Sequence, residues 1–348
     1  MTKCRVLLAG TFAPGALERS YAAGFEDAGC NVQTFDIAGA INRYCRLGRF
    51  GRMFNTFVPV EPWIRKANRD LVLLAMKSTP DLIAVFGQNR VRSGALAQIR
   101  SMLPNVRLVY VWPDTLVNLG EASISALPLF DLIATYSQST VQQFEYLGAR
   151  HVAWVPLAGD PHMHGVSSIT DAERHTFGAE IAFVGQWRPE RQAAMEVVLQ
   201  AFPERDVKIW GLDWGRRARD HAAIQKAWQG RPLYEKEFAL ALATSQINLN
   251  IIDDTNYPAA NMRFFEIPTA GGLQVCSACP EMENSFRHED TVFYYRSLAE
   301  LPAILRQLLD DTKICNQVKT AASQLLLSQH TYKHRSEMIL RLLNDVID

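Results

Sequence analysis

Short, wholly apolar runs alternate along this chain with longer stretches whose apolar residues recur at helical spacing, and the alternation runs through twice. In the first pass, residues 5–9 predict a strand, 10–15 a glycine-bearing loop, 17–28 a helix closed by Gly29, and 31–35 a second strand. A helical pattern follows from Glu61 to Ser78, stopped by Pro80. Further strands are predicted over 81–87, 107–112, 132–135 and 151–155, with helices over 94–102 and 138–147. Pro156 to Pro161 and the polar segment through Thr176 predict a linker between domains. The second pass opens with a strand at 181–185 and a helix at 191–202. Strands at 207–210, 247–252, 273–276 and 291–295 are separated by helices, one of them ending at Thr244. Helices over 298–309, 313–327 and 332–346 close the chain. Repeated strand-helix-strand units imply an α/β fold of two doubly wound, Rossmann-like domains, 1–157 and 158–330, with a closing helix in 331–348.

Ligands in such sheets gather above the carboxyl ends of the strands, so the loops there carry the candidate chemistry. Asn250 to Gly272 reads as a buried strand, a polar loop and a short helix closed by glycines. A helix N-terminus presents free N–H groups to anions such as phosphates. Glu266, about a turn beyond, suits sugar hydroxyls better than phosphate because like charges repel; it could equally complement the positive end of the helix. Pro268 cannot sit deep in a regular helix, so the helix either begins near Phe265 or bends. Arg188 and Arg191 flank the start of another helix, where guanidinium groups would suit a pyrophosphate or stand as surface charge beside a proline turn. In the first domain the turn after the opening strand, Gly10-Thr11, lacks a complete dinucleotide fingerprint. Asp114 follows a strand end and Pro113, placed to act as a general base or to form the turn.

Composition narrows the choice of partner. Thirty-six basic and 36 acidic residues cancel, so no global field favours nucleic acid or an anionic membrane. Only Arg43, Arg46, Arg49 and Arg52, interleaved with aromatics and followed by Arg65, Lys66 and Arg69, make a local basic stretch. It reads as a solvated face, an acceptor clamp or, at most, a peripheral membrane contact, with nucleic acid not expected. The six cysteines form no disulfide framework, and the Cys276/Cys279 pair lacks further ligands at metal spacing. His162 and His164 lack a third ligand and read as solvated. The apolar run near the N-terminus is too brief for a signal or membrane segment, which predicts a cytoplasmic protein.

Phe183-Val184-Gly185 with Trp187-Arg188-Pro189-Glu190-Arg191, Asn248-Leu249-Asn250-Ile251, Asn261-Met262-Arg263-Phe264-Phe265-Glu266 with Ala270-Gly271-Gly272, and His330-Thr331-Tyr332-Lys333-His334-Arg335 together resemble a GT-B glycosyltransferase of the CgeB-type (spore-maturation) family. The resemblance lies mostly in the C-terminal half. It implies two domains facing across a cleft, the last helix crossing back to the first domain, and a nucleotide-diphosphate sugar as co-substrate, with no cofactor and no metal. Donor-binding positions would be Gly185, Arg188, Arg191, Gly211, Leu233, Asn261, Met262, Arg263 and Glu266, with Glu266 on the ribose. Gly10, Thr11, Arg43 and Arg46 fall on the acceptor side, and Asp114 is the candidate base. Retaining relatives often carry a second glutamate where this chain has Pro258, so stereochemistry, sugar and acceptor stay open. A nucleotide-sugar epimerase or a non-catalytic nucleotide-sugar-binding partner protein fits the same architecture.

Overall fold

The protein, in a computed structural model, is described over residues 3–45, 60–87 and 90–345, with positions 48, 51 and 53 besides. It divides into two compact units, one of residues 1–156 together with 332–348 and one of residues 157–331.

Unit one carries β1 (Arg5–Gly10), α1 (Leu17–Asp27), β2 (Asn31–Asp36), α2 (Ile37–Tyr44), α3 (Glu61–Ser78), β3 (Leu82–Phe86), α4 (Ser93–Met102), β4 (Arg107–Trp112), α5 (Glu121–Ile124), β5 (Leu132–Thr135), α6 (Val141–Tyr146) and β6 (Val152–Trp154). The strands form one sheet in the order β2-β1-β3-β4-β5-β6. Every pairing is parallel, with Val6 opposite both Val32 and Leu82. Parallel strands covered on both faces need apolar residues on both, and β3 and β5 are buried along their whole length. One face packs Leu7, Ile83, Tyr110 and Trp112 against Ile64, Leu71, Leu96 and Ile99 of α3 and α4.

Unit two carries α7 (Pro161–His164), α8 (Asp171–Phe177), β7 (Ile181–Val184), α9 (Pro189–Ala201), β8 (Val207–Trp210), α10 (Trp214–Arg217), α11 (Ala222–Ala227), α12 (Glu235–Thr244), β9 (Ile247–Asn250), α13 (Met262–Thr269), β10 (Gln274–Ser277), β11 (Phe293–Tyr295), α14 (Leu301–Asp310) and α15 (Thr312–Gln329). Its parallel sheet runs β11-β10-β9-β7-β8. The chain steps from β7 outward to β8 and then returns to β9 on the other side of β7. The loops after β7 and β9 therefore part company, leaving a crevice at the carboxyl edge.

The segment predicted as a linker through Thr176 is instead folded into unit two. Asp160 caps α7 through the N–H groups of His162 and Met163, and α8 opens with a capping box in which Thr170 and Glu173 serve each other's backbone.

The last helix, α16 (Tyr332–Asp345), belongs to unit one and lies along α1. Tyr332 meets Tyr21 edge-on at 5.0 Å, and the Arg335 Nε donates to the Pro156 carbonyl at 2.8 Å. At Gly24 the two helices come so close that a Cβ would stand 2.5 Å from the Tyr332 carbonyl.

Candidate functional site

A cavity of about 240 Å³ opens at the carboxyl edge of unit two, in the crevice between β7 and β9. Val184, Gly185 and Gln186 line it from the end of β7, Asn250 and Ile251 from the end of β9, and Arg191 from α9. Asn261, Met262, Arg263 and Glu266 close it from the start of α13.

The arrangement begins with two asparagines inside an otherwise apolar strand. Asn248 Nδ2 donates to the carbonyls of Leu242 and Leu273, pinning β9 to its neighbours. Asn250 exchanges two amide hydrogen bonds with Asn261, at 3.1 and 2.9 Å. Asn261 also accepts from the Phe264 N–H as the N-cap of α13. The side chain of Asn261 is thus spent on holding the helix start against β9, while the first-turn N–H groups of Met262 and Arg263 have no intrahelical acceptor.

α13 starts at Met262, which rules out a start near Phe265. Pro268 falls in its last turn, where it gives up one backbone bond. Gly271, at φ +80°, then turns the chain out of the helix, and Gly272 N–H closes onto the Ile267 carbonyl.

Glu266 is buried beneath the cavity. Its Oε2 accepts from Arg263 Nη1 at 2.7 Å, and its Oε1 stands 3.9 Å from His164 Nε2. The Arg263 guanidinium lies 4.0 Å above the centre of the Phe238 ring, and His164 meets the same ring edge-on. His164 is therefore packed against Glu266 and not solvated as its loop sequence suggested. Pro161, Gly165 and the polar neighbours gave a loop reading, but the Asp160 cap folds the segment onto α12 and α13.

Asp253 provides the second charged centre. It is 2% exposed and accepts from Thr255 at 2.6 Å, from Asn256 at 2.7 Å and from Arg191 at 3.1 Å, with Arg188 at 3.8 Å. Burial alone would raise its titration, but these donors outweigh that and hold the carboxyl below the ordinary aspartate value. Arg191 also donates to the Gln186 carbonyl; burial lowers its titration, with Asp253 opposing and Arg188 and Arg263 adding to the effect. Arg188 and Arg191 here face Asp253, with Glu190 also close to Arg191, and Arg263 faces Glu266.

Of the donor-side residues named from sequence, Gly185, Arg191, Asn261, Met262, Arg263 and Glu266 line one cavity. Three do not. Gly211 lies behind Gly185, whose carbonyl occupies the place a Cβ on Gly211 would need. Leu233 is buried in the apolar cluster of Phe177, Phe238 and Ile267. Arg188 stands at the N-terminal boundary of α9 without a side-chain capping bond and turns toward Asp253.

In unit one, Gly10 ends β1, and Glu18 from α1 fills the turn, accepting the Thr11 N–H at 2.9 Å. A carboxylate already occupies that loop, which opposes an anion there. Asp114 uses both oxygens locally, on Thr115 N–H and Asn118 Nδ2, the turn-forming arrangement that Pro113 allows. Arg43 is exposed and faces Asp70 at 3.8 Å, while Arg46 lies outside the described residues.

The six cysteines carry free thiols. Burial pushes the Cys279 thiol up to about 12 and raises Cys276 well above the ordinary thiol value, which disfavours the thiolate at both. Among the described residues no three His, Cys, Asp or Glu side chains converge as a metal site, and no helix is long and apolar enough to cross a membrane.

A glycosyl transferase-like family model matches residues 189–341, less than half of the chain. No curated protein matches it in sequence. Among solved structures, HepE of Anabaena in complex with UDP-glucose superposes with a TM-score of 0.65 at 14% identity, covering 98% of this chain and 99% of that one. Sucrose-phosphate synthase of Thermosynechococcus elongatus gives 0.68 at 12% identity over 99% of both chains. A glycosyltransferase of Rickettsia africae gives 0.67 at 11% identity over 100% of both. The likeness establishes the fold as the α/β architecture of GT-B structures, built on two parallel-sheet, Rossmann-like domains.

Proposed function

We propose that the protein is a glycosyltransferase whose sugar donor is a nucleoside diphosphate sugar held by unit two. The observation that carries this reading is the convergence of Arg191, Arg263, the first-turn amides of α13 and the buried Glu266 on one cavity at the β7/β9 crevice. The family match over 189–341 supports it, as does the fold shared with HepE, a protein solved with UDP-glucose. At about 240 Å³ the cavity is smaller than the roughly 300–1,000 Å³ of sites that enclose a whole drug-sized ligand. It suits the ribose and diphosphate, with the base and the sugar extending beyond.

In this reading the diphosphate rests against the amides of Met262 and Arg263, with Arg191 beside it and Arg188 at longer range. Glu266 Oε1 accepts from the ribose hydroxyls. Breaking the anomeric bond leaves negative charge on the diphosphate, and fixed cations and a helix end stabilise it without rearranging. That cationic setting is the reason for proposing transfer that needs no metal, and activity retained in EDTA is the expected outcome. Acceptor binding is proposed for unit one. Asp114 stays the proposed base: its oxygens accept from Thr115 N–H and Asn118 Nδ2, and a carboxylate keeps further lone pairs for a hydroxyl.

Glu266→Ala tests the assignment. A thermal-shift screen against UDP, GDP, ADP and dTDP identifies the nucleotide that stabilises the parent protein, and calorimetry with that nucleotide should show at least about tenfold weaker binding by the variant. Unchanged affinity would remove Glu266 from the ribose.

A further inference from the structure

His164 is buried, 9% of its side chain remaining exposed, and the established rules for buried polar groups predict a hydrogen-bonded imidazole there. Among the described residues it has none within bonding distance: Nδ1 is enclosed without a partner, and Nε2 faces Glu266 Oε1 at 3.9 Å. A ring retained only for packing would be apolar, because enclosing an unbonded imidazole is unfavourable. Everything that fixes this ring aims it at the carboxylate. The short helix α7 is capped by the buried Asp160 and packs on α12 and α13. The ring stands edge-on to Phe238 at 5.2 Å and 64°. Phe238 carries Arg263 on its face, so one aromatic side chain orients both groups that bracket Glu266.

Resting on the reading of the cavity given above, we infer that His164 is a positioning residue that holds Glu266 Oε1 toward the donor ribose. With no acceptor near Nδ1, the tautomer protonated at Nε2 is the favoured one, since it points its N–H at a carboxylate. Arg263 ties Oε2 at 2.7 Å. The imidazole N–H attracts Oε1 from the opposite side without taking it up as a full hydrogen bond. The carboxylate is thereby held from both ends, and at 3.9 Å the imidazole leaves Oε1 free to accept from a hydroxyl. The carboxylate is oriented before the ligand arrives, and the cost of ordering it is not subtracted from binding.

The test uses the full-length protein, calorimetry with UDP, GDP, ADP and dTDP, and melting curves for each variant. His164→Phe keeps a ring against Phe238 and removes the N–H; it should weaken nucleotide binding about tenfold with little change in melting temperature. His164→Gln restores an N–H at a similar reach and should bind within about twofold of the parent. In a Glu266→Ala background, His164→Phe should have no further effect, because the group it positions is gone. If His164→Phe folds poorly, His164→Leu takes its place in the same comparisons. The inference is overturned if His164→Phe binds like the parent, if His164→Gln is equally impaired, or if the loss persists without Glu266. A parent protein that binds none of the four nucleotides overturns the reading of the cavity, and this inference with it. Binding that Glu266→Ala weakens and His164→Phe leaves intact overturns this inference alone.

Discussion

Asp253 gathers more charge-assisted contacts than any other side chain around the cavity, and its exposed neighbour Asp254 shows how little the pair's sequence says about their roles. Because its donors hold its titration below the unfolded value, the ionised form stabilises the fold. The sign follows directly: the contribution is complete above the ordinary aspartate value of about 3.9 and disappears as pH falls through the lower folded value. Asp253→Asn should therefore flatten the acid limb of stability against pH, measured by urea unfolding between about pH 3 and pH 7. At neutral pH it should also cost about 3 kcal/mol, since Arg191 loses its counter-charge while mostly buried. An acid limb as steep in the variant as in the parent would assign the effect elsewhere. At this scale the sequence was uneven. Glu266 and the arginines were legible because helix starts and carboxylates have known uses. His164 was not, because its partner lies far along the chain and nothing local signals the approach. Leu233 was legible only as an apolar residue before a helix, a description that fits a core position equally well.

The elements were the most legible part. Runs such as Leu82-Ile83-Ala84-Val85-Phe86 have no other comfortable place than a parallel sheet covered on both sides. The folded segment between the units was missed, although Thr170 and Glu173 stand in the spacing of a capping box and would have identified α8. Proline and glycine flanks outweighed that signal. The packing of α1 on α16 was invisible in a different way, since Gly24 is an unremarkable residue in a helical pattern until another helix is laid across it. Gly24→Ala tests that contact. Alanine improves helix propensity, so a local view predicts a gain. The Cβ would instead meet the Tyr332 backbone at 2.5 Å, and overpacking of this kind should cost about 1–3 kcal/mol by chemical denaturation. A stabilised variant would mean the helices separate at little cost.

At the scale of the molecule, the two units differ in how the chain builds them. Unit two is one uninterrupted segment, whereas unit one is assembled from residues 1–156 and 332–348. Excised residues 157–331 should fold, and in the proposed function should retain nucleotide binding, since the lining residues of the cavity all lie within that segment. Circular dichroism and calorimetry on the fragment check this, and a fragment that folds without binding would mean that unit one contributes to the site. The domain pattern could be read from sequence because alternation restarts cleanly at Ile181. The return of the last helix rested on family likeness, as no periodicity tells a helix which sheet it will cover.

That return has a temporal side. Proteins are made from one end, at roughly 5–20 residues per second, and domains tend to fold as they emerge. Here the first unit to leave the ribosome cannot finish until all of the second has followed it, because the helix bearing Tyr332 and Arg335 is encoded beyond both. For some tens of seconds the side of α1 that meets this helix, with Tyr21 and Gly24 on it, waits uncovered. A message cut short between the two units' ends would yield a chain with its proposed nucleotide pocket intact and that side of α1 exposed. Such a product is one that chaperones and proteases are equipped to detect.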